Sequence, residues 1–391
     1  MFLMKQIVVI VILLAGLTAP TTAGEMPDFS APEPAVMDGI EGVLAAFDAY
    51  PIVAIGEQHG IQELGAFYVA LIQHPAFAQK VDAVVMEYGN ALYQAVADRY
   101  VAGEDVPYSE VRQIWSDAIG RIPGGTEILY GQVYAAIREV NRGLPEAERI
   151  RVLLGDPPID WSGVETREDL LPVQQQRETH FAGVVIEQVL ERGLRGLVIT
   201  GGPHLDRTAT TMPELPTPDE GQTLAIPFAP TQLMQQIVEE AYPGRTWVVI
   251  VHTGFNDEDC NAAVEARMES WAAPTMAVVR GSWLEGLNCQ KFPAAIMINP
   301  ASGGGADQMM GAPSGVTLTA PVSQITQADA YLYVGKRDGL TMSPFAPDIY
   351  LDADYFNEQS RRYRILFGEP LDPTAVLRGN PRLYVDRFPA G

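Results

Sequence analysis

Residues 51–59 read PIVAIGEQH, and this stretch indicates both an architecture and a site. Its apolar part, Ile52–Ile55, is four residues long and rich in β-branched side chains. A run of that kind is typical of a strand buried on both faces of a parallel sheet. Glu57 and His59 follow within three residues of Gly56, so two ionisable side chains lie just where the strand is expected to end.

A second stretch repeats this arrangement later in the chain. The apolar run Leu197–Thr200 leads into Gly201-Gly202-Pro203-His204. The Gly-x-x-His segments Gly56–His59 and Gly201–His204 therefore both leave predicted strands, and we expect them to form one active site.

Outward from these two stretches, strands and helices alternate, which predicts an α/β fold with a mainly parallel central sheet flanked by helices. Amphipathic segments at Glu127–Asn141 and Arg177–Arg192 supply two of the helices, and Asp354–Phe367 supplies a late one. The predicted strands share short apolar character and are Ile52–Ile55, Ala83–Met86, Val152–Leu154, Leu197–Thr200 and Trp247–Val251, followed by Met276–Val279, Ala294–Ile298 and Ala330–Val334.

The expected organisation is a signal peptide at 1–23 and one large α/β domain at 24–391. The core of this domain covers about 45–255, and about 256–391 is a loop-rich extension or a small appended subdomain. The prolines in 211–221 predict a loop over His204. We expect loops such as 211–221 and 300–316 to set substrate selectivity.

In an open parallel sheet, ligands bind beyond the carboxyl ends of the strands. Acids and imidazoles occupy that position after five of the predicted strands, and they include three of only five histidines in the chain. Sequence position thus places these residues at one rim: Glu57, His59, Glu87, Asp156, His204 and His252.

Glycines before the two histidines have a physical use. Gly56 and Gly201 are expected to let the backbone turn sharply off a strand and to permit close approach of a substrate. Glutamate and histidine at such a rim suit two chemistries. They can form a general acid/base pair that activates water, or they can ligate one divalent metal ion through His59, His204, Glu57 and Glu87.

Each residue also has a structural alternative. His59 would cap a helix, Glu87 would be a buried carboxylate bonded to backbone N–H groups, and Asp156 would be a turn residue before two prolines. For His252 and His180 the sequence leaves open whether they belong to the site.

Several common sites are missing from the sequence. There is no Gly-x-Ser-x-Gly elbow, because Gly311–Gly315 has the wrong spacing. There is also no Walker A loop, Gly-x-Gly-x-x-Gly or His-Glu-x-x-His motif. These absences disfavour a serine hydrolase, a nucleotide-binding protein and an ordinary zinc protease.

The first 23 residues have the features of a secretory signal peptide, with Lys5, the apolar run Ile7–Leu17 and the small residues Thr21–Ala23. Their removal takes away one lysine and no acid, so the formal charge moves from −23 to −24. This charge disfavours nucleic acid as a partner, and we expect no stable membrane insertion. In a secreted or periplasmic protein, Cys260 and Cys289 are expected to form a disulfide.

The ordered segments Ile55–Gly60, Met86-Glu87, Gly155-Asp156 and Gly201–His204 resemble the motif set of the erythromycin esterase / ChaN-like superfamily, which is related to TraB and TIKI proteins with paired Gly-x-x-His motifs. The resemblance implies a cleft lined by Glu57, His59, Glu87 and His204. It also implies a supporting role for Arg177, at the start of a helix.

In the esterase branch such residues open a macrolactone ester with water. The Glu57-to-His59 spacing is one residue shorter than in that branch and nearer to the ChaN and TIKI form. We therefore expect an exported hydrolase that acts on an ester or lactone, or on a peptide, with either no cofactor or one divalent metal ion. The alternatives are a metal-dependent peptidase of TIKI type and a non-catalytic ChaN-like protein that binds haem or a metal.

Overall fold

A computed structural model describes residues 28–119, 127–207, 232–255, 258–287, 289 and 327–372, together with the backbone of two short strands at 215–216 and 223–224. Ten strands lie in these parts. They are β1 Val36–Asp38, β2 Ile52–Glu57, β3 Ala83–Asn90, β4 Arg151–Asp156, β5 Gly196–Gly201, β6 Leu215–Pro216, β7 Thr223–Leu224, β8 Thr246–Val251, β9 Thr275–Val278 and β10 Ala330–Tyr333.

Eight of these strands form one sheet in the order β1-β9-β10-β8-β2-β5-β3-β4, and β6 and β7 pair separately. The strands from β10 to β4 in this order all run parallel to their neighbours. Only β9 is antiparallel to its partners, β1 and β10. The fold is thus a mixed α/β fold with a mostly parallel sheet, as the sequence predicts.

The helices in the described residues are α1 Gly39–Ala46, α2 Gln62–Gln73, α3 Phe77–Lys80, α4 Gln94–Val101, α5 Tyr108–Val111, α6 Gln113–Ser116, α7 Ile128–Arg142, α8 Leu171–Val185, α9 Met234–Ala241, α10 Glu258–Arg267, α11 Asp348–Leu351 and α12 Ala353–Phe367. A π-helical turn, Ile186–Leu190, continues α8. Their apolar sides cover both faces of the sheet, which gives a three-layered domain.

Alternation along each strand explains the two layers, because successive side chains point to opposite faces. From β2, Val53 and Ile55 join the core formed with α1, α2, α4 and α7. Ile52 and Ala54 join the core formed with α8, α9 and α10. Both faces of the strand are buried, and this accounts for the continuous apolar runs in the sequence.

Chain order places a topological switch point at the carboxyl edge of the sheet. β2 and β3 each lead to helices on one face, whereas β4 and β5 lead to α8 and α9 on the other. β5 lies between β2 and β3, so adjacent strands send the chain to opposite sides. Such switch points in doubly wound sheets are where ligands bind.

The predicted strands of the core are confirmed, but most of them extend further than the apolar pattern shows. Glu57 and Asp156 are the last residues of β2 and β4, and Glu87 lies inside β3. Their carboxylates are buried and bonded, so these strands end on polar residues that an apolar pattern cannot include.

The helix predicted to begin at Arg177 begins instead at Leu171, so that prediction was wrong by six residues. Pro172 lies in its first turn, where a proline is favoured because its nitrogen needs no acceptor. Arg177 is therefore in the middle of α8. The other two predicted helices are confirmed as α7 and α12.

In the C-terminal third, β9 and β10 belong to the main sheet. Cys260 of α10 and Cys289 form the expected disulfide, with Cα atoms 5.6 Å apart. The predicted signal peptide, the predicted strand Ala294–Ile298, the predicted loop 300–316 and, apart from the backbone of β6, the predicted loop 211–221 lie outside the described residues. Within the described part of the chain, no helix is long and apolar enough to cross a membrane.

Candidate active site

Glu57 and His59 form a hydrogen-bonded pair at the end of β2. Nδ1 of His59 lies 3.0 Å from Oε1 of Glu57. Tyr130 donates its hydroxyl to the same oxygen at 3.1 Å, and Tyr68 donates to Oε2 at 3.0 Å. The two tyrosines hold Glu57 in place, and because a carboxylate only accepts, Nδ1 of His59 carries the hydrogen.

Glu87 of β3 is the centre of the site and is 2% exposed. Its Oε1 accepts from Nη2 of Arg177 at 2.6 Å. Its Oε2 accepts from the Thr200 hydroxyl at 3.0 Å and from the Gly201 backbone nitrogen at 2.5 Å. Burial by itself raises the pKa of Glu87, but His204, His59 and Arg177 outweigh it and hold the pKa well below its usual range. Glu87 is therefore an anion at neutral pH.

His204 lies in the short turn Gly202–Leu205 that follows β5, between two carboxylates. Its Nδ1 is 2.8 Å from Oε1 of Glu178, and its Nε2 is 3.3 Å from Oε1 of Glu87. Burial alone would lower the pKa of His204, yet Glu87 and Glu178 together raise it to about 10. His204 is thus an imidazolium at neutral pH, with a donor on each nitrogen.

Arg177 and Asp156 support Glu87 from the side of β4. Nε of Arg177 donates to Oδ1 of Asp156 at 2.6 Å, while Oδ2 of Asp156 accepts from the Ile119 backbone nitrogen at 3.1 Å. Burial raises the pKa of Asp156, and Arg177 offsets only part of this effect. The guanidinium therefore joins Glu87 and Asp156 in one buried network, in which its planar fork reaches two acceptors at once.

The glycines act through close packing rather than through turning. Neither Gly56 nor Gly201 has a positive φ, so the expectation of a sharp glycine turn at these positions was wrong. Gly60, at φ 84°, has the left-handed backbone conformation that favours glycine. A Cβ on Gly201 would lie 3.0 Å from Cε1 of His59, and a Cβ on Gly56 would lie 3.0 Å from the Cα of Gly202. Each glycine lets the chain of one motif approach the other.

The structure brings together the predicted residues Glu57, His59, Glu87, His204, Asp156 and Arg177. His252 is elsewhere: it is fully buried and contacts the Tyr331 hydroxyl at 2.7 Å and Glu265 at 3.2 Å. His180 lies beside the site, with its Nδ1 3.0 Å from the carbonyl oxygen of Gly155. These hydrogen-bond partners of the two histidines lie outside the six residues.

Four residues that sequence reasoning missed contact the site: Tyr68, Tyr130, Glu178 and Thr200. The tyrosines lie on buried faces of α2 and α7, where their positions match the apolar period of a helix and suggest only packing. Glu178 is different, because it is a mid-helix acid that is 8% exposed. Its place next to Arg177 in a dense polar patch was the one signal available.

The donor set does not suit a metal ion or haem iron. Both oxygens of Glu57 and both oxygens of Glu87 already accept hydrogen bonds, and the Arg177 cation lies 2.6 Å from Glu87. Both ring nitrogens of His204 face carboxylates, Nδ1 towards Glu178 at 2.8 Å and Nε2 towards Glu87 at 3.3 Å. Among the described residues, no group of three His, Cys, Asp or Glu side chains is arranged to hold a metal ion.

A cavity of about 540 Å³ lies elsewhere in the described structure, next to α12. Its walls include Trp161, Arg361 and Arg362. Arg361 donates to the Trp161 carbonyl and Arg362 to Oδ1 of Asp117, so they hold α12 against the body of the protein. The residues that line this cavity do not include the glutamates and histidines of the Glu57–His59 rim.

Fold and site together define a doubly wound α/β protein with a glutamate–histidine cluster at the carboxyl edge of its sheet. No protein-family model matches the sequence, and no curated protein sequence matches it. Solved structures similar to it include a protein from Bacillus cereus, at 11% identity and a TM-score of 0.46, covering 83% of this chain and 97% of that one.

Two further similar structures belong to the branches that the sequence motifs resemble. One is a mutant of the erythromycin esterase EreC in its open conformation, at 12% identity and a TM-score of 0.44, covering 76% of this chain and 94% of the esterase. The other is ChaN of Campylobacter jejuni with cofacial haem, at 10% identity and a TM-score of 0.33, covering 57% of this chain and 92% of ChaN. Identities and scores this low do not bear on the activity or ligand of this chain.

Proposed function

We propose that this protein is an exported hydrolase that uses the Glu57–His59 pair to activate water for attack on an ester or lactone. The observation that carries the proposal is the pairing of two imidazoles of different character around Glu87. His59 is bonded to Glu57 and is 28% exposed, whereas His204 is 11% exposed and lies between Glu178 and Glu87. Titratable groups in such contrasting environments are the usual sign of a base and an acid that work together.

His59 acts as the general base. Since Glu57 accepts the Nδ1 hydrogen, His59 in its uncharged form carries its lone pair on Nε2, the nitrogen 3.8 Å from Oε1 of Glu87. A water molecule near Nε2 gives up its proton as its oxygen bonds to the carbonyl carbon of the substrate. Glu57 stabilises the imidazolium that forms, and general base assistance of this kind contributes about 10²–10⁴-fold.

His204 and Arg177 supply the positive charge. The tetrahedral intermediate carries a negative oxygen, and a cation already in place stabilises it without further reorganisation. When the carbon–oxygen bond of the ester breaks, the leaving alkoxide takes the proton that His59 removed from water, or one from His204. The products are a carboxylic acid and an alcohol, and in a lactone both stay on one opened molecule.

The test is turnover of a panel of esters, lactones and peptides, with and without a chelator. We expect the wild type to hydrolyse members of the ester or lactone group with the same kcat in chelator. His59→Ala is expected to lose at least 100-fold in kcat with little change in Tm. His74→Ala is the matched control, because His74 is 31% exposed, lies 3.4 Å from a carboxylate of Glu41 and is outside the site.

Full activity in His59→Ala would overturn the proposal, and so would activity confined to peptides and abolished by chelator. An absorption spectrum and a metal analysis of the purified protein test the alternative functions, a haem- or metal-binding protein and a metallopeptidase. A Soret band or a stoichiometric divalent ion would favour the binding protein or the metallopeptidase over the hydrolase proposed here.

Export is the second part of the proposal, and the disulfide between Cys260 and Cys289 supports it, since such bonds persist in oxidising compartments. Expression of the full chain in a secreting host, followed by N-terminal sequencing, checks this part. We expect a mature chain that begins at Gly24 outside the cytoplasm. A full-length protein retained in the cytoplasm would contradict it.

A further inference from the structure

The carboxylate of Glu178 makes two kinds of contact. Its oxygens lie 2.8 and 2.9 Å from Nδ1 of His204. Oε2 also accepts from the backbone nitrogen of Met234 at 2.8 Å, and Met234 is the first residue of α9. The Glu178 carboxylate therefore joins His204, in the turn after β5, to the first residue of α9.

Burial strengthens the attraction between Glu178 and His204. The side chain of Glu178 is 10% exposed, so its attraction for the imidazolium is little screened by water. Burial by itself raises the pKa of Glu178, but the hydrogen bond and charge of His204 outweigh it and lower the pKa. At neutral pH the two residues thus form a buried ion pair.

His204 lies between two carboxylates, and Glu178 makes the shorter contact with its ring, at 2.8 Å against 3.3 Å for Glu87. Glu87 lies 3.3 Å from Nε2 of His204, but the same oxygen is 2.6 Å from Arg177. Nδ1 of His204, in contrast, has the direct bond to Glu178. The charged and titratable groups around His204 in the described residues are Glu87 from β3, Asp156 from β4, Arg177 and Glu178 from α8, His59 after β2, and Asp206 on its own turn.

From these contacts we propose that Glu178 is a positioning residue that fixes the ring of His204 and holds it as the imidazolium for hydrolysis, and that it couples this state to the start of α9. The inference rests on the proposed hydrolase function for the role of His204. The part about the charge of His204 stands on the geometry and is measured without turnover.

The experiment is a titration of the His204 ring by NMR in the full chain, with Glu178→Gln, Glu178→Asp and Glu187→Gln. Glu187 is exposed on the turn that continues α8, so Glu187→Gln is the control for loss of one negative charge nearby. We expect the pKa of His204 to be close to 10 in the wild type and in Glu187→Gln. It should fall by at least two units in Glu178→Gln and lie between these values in Glu178→Asp.

Steady-state kinetics then distinguish a positioning role of Glu178 from a purely structural role. Glu178→Gln is expected to lower kcat about 10–100-fold with KM nearly unchanged, and Glu178→Asp should restore part of this loss. A His204 pKa that stays near 10 in Glu178→Gln would overturn the inference, as would an unchanged kcat together with a shifted pKa. If Glu178→Gln does not fold, a His204 pKa in Glu178→Asp that equals the wild-type value would overturn it as well.

The two proposals fail in different ways. A wild type that turns over no ester or lactone contradicts the proposed function, while the titration of His204 still reports on Glu178. A wild type that is active, with a His204 titration indifferent to Glu178→Gln, contradicts only this inference.

Discussion

Glu57 and Gly201 are register partners on the adjacent parallel strands β2 and β5. The two Gly-x-x-His segments therefore leave the sheet at the same level, one beside the other. His59 crosses above Gly201, where a Cβ would meet its Nε2 at 3.1 Å. This register is what makes two short motifs, 145 positions apart in the chain, into one site.

Removal of the Tyr68 hydroxyl is expected to weaken the base. Tyr68→Phe keeps the ring but leaves Oε2 of buried Glu57 without its donor, which costs about 1–3 kcal/mol in unfolding free energy. The carboxylate is then less well aligned with Nδ1 of His59, so kcat should fall about 10-fold. Urea unfolding and steady-state kinetics check this, with half-buried Tyr363→Phe as the control. Wild-type kcat in Tyr68→Phe would mean that the hydroxyl does not orient Glu57.

A single methyl group at Gly201 should separate activity from folding. The Cβ in Gly201→Ala would lie 3.0 Å from Cε1 of His59 and 3.4 Å from Oε2 of Glu87. His59 is partly exposed and can move away, so we expect a 10-fold or larger loss of kcat with a small change in Tm. Gly163→Ala is the control, because nothing lies within 4 Å of its added Cβ. Equal activity in both variants would contradict the close approach described here.

Asp206 is expected to make stability depend on pH near neutrality. Burial raises its folded-state pKa to about 7, partly opposed by His204, whereas the unfolded value is about 3.9. The folded state thus keeps a proton that the unfolded state releases, and wild-type stability falls as pH rises from about 4 to about 7. Asp206→Asn mimics the protonated form, so its Tm should exceed that of the wild type at pH 8 by more than at pH 5. A Tm difference that is the same at both values would contradict this.

The disulfide should contribute measurably to stability. Cys260 and Cys289 are 29 positions apart, and closing a loop of that length in the unfolded chain is worth roughly 3 kcal/mol. The double variant Cys260→Ala/Cys289→Ala should lower the unfolding free energy by about this amount and leave kcat unchanged, because the bridge is on α10 and not at the rim. Urea titration gives the first quantity. A large loss of kcat in the folded variant would show that α10 supports the site.

Much of the architecture follows from local pattern. The runs Ile52–Ile55 and Leu197–Thr200 are buried on both faces, and such runs have few alternatives to a central parallel strand. For the same reason the residues just after them, His59 and His204, could be assigned to the sheet edge from sequence. The start of α8 at Leu171 was harder to predict. Polar and apolar residues are only weakly separated on the two sides of this helix, and its start depends on Pro172.

By itself, the sequence determined the five parallel strands of the core and that acids and imidazoles meet at their carboxyl ends, because these features depend on local hydrophobicity and on the connectivity of parallel strands. Only the tertiary structure decided that β5 lies between β2 and β3, which brings Glu87 to both histidines. It also decided the environment of His204, because the pKa of this histidine depends on burial, on Glu87 and on Glu178, a helix residue whose distance from His204 no local pattern contains.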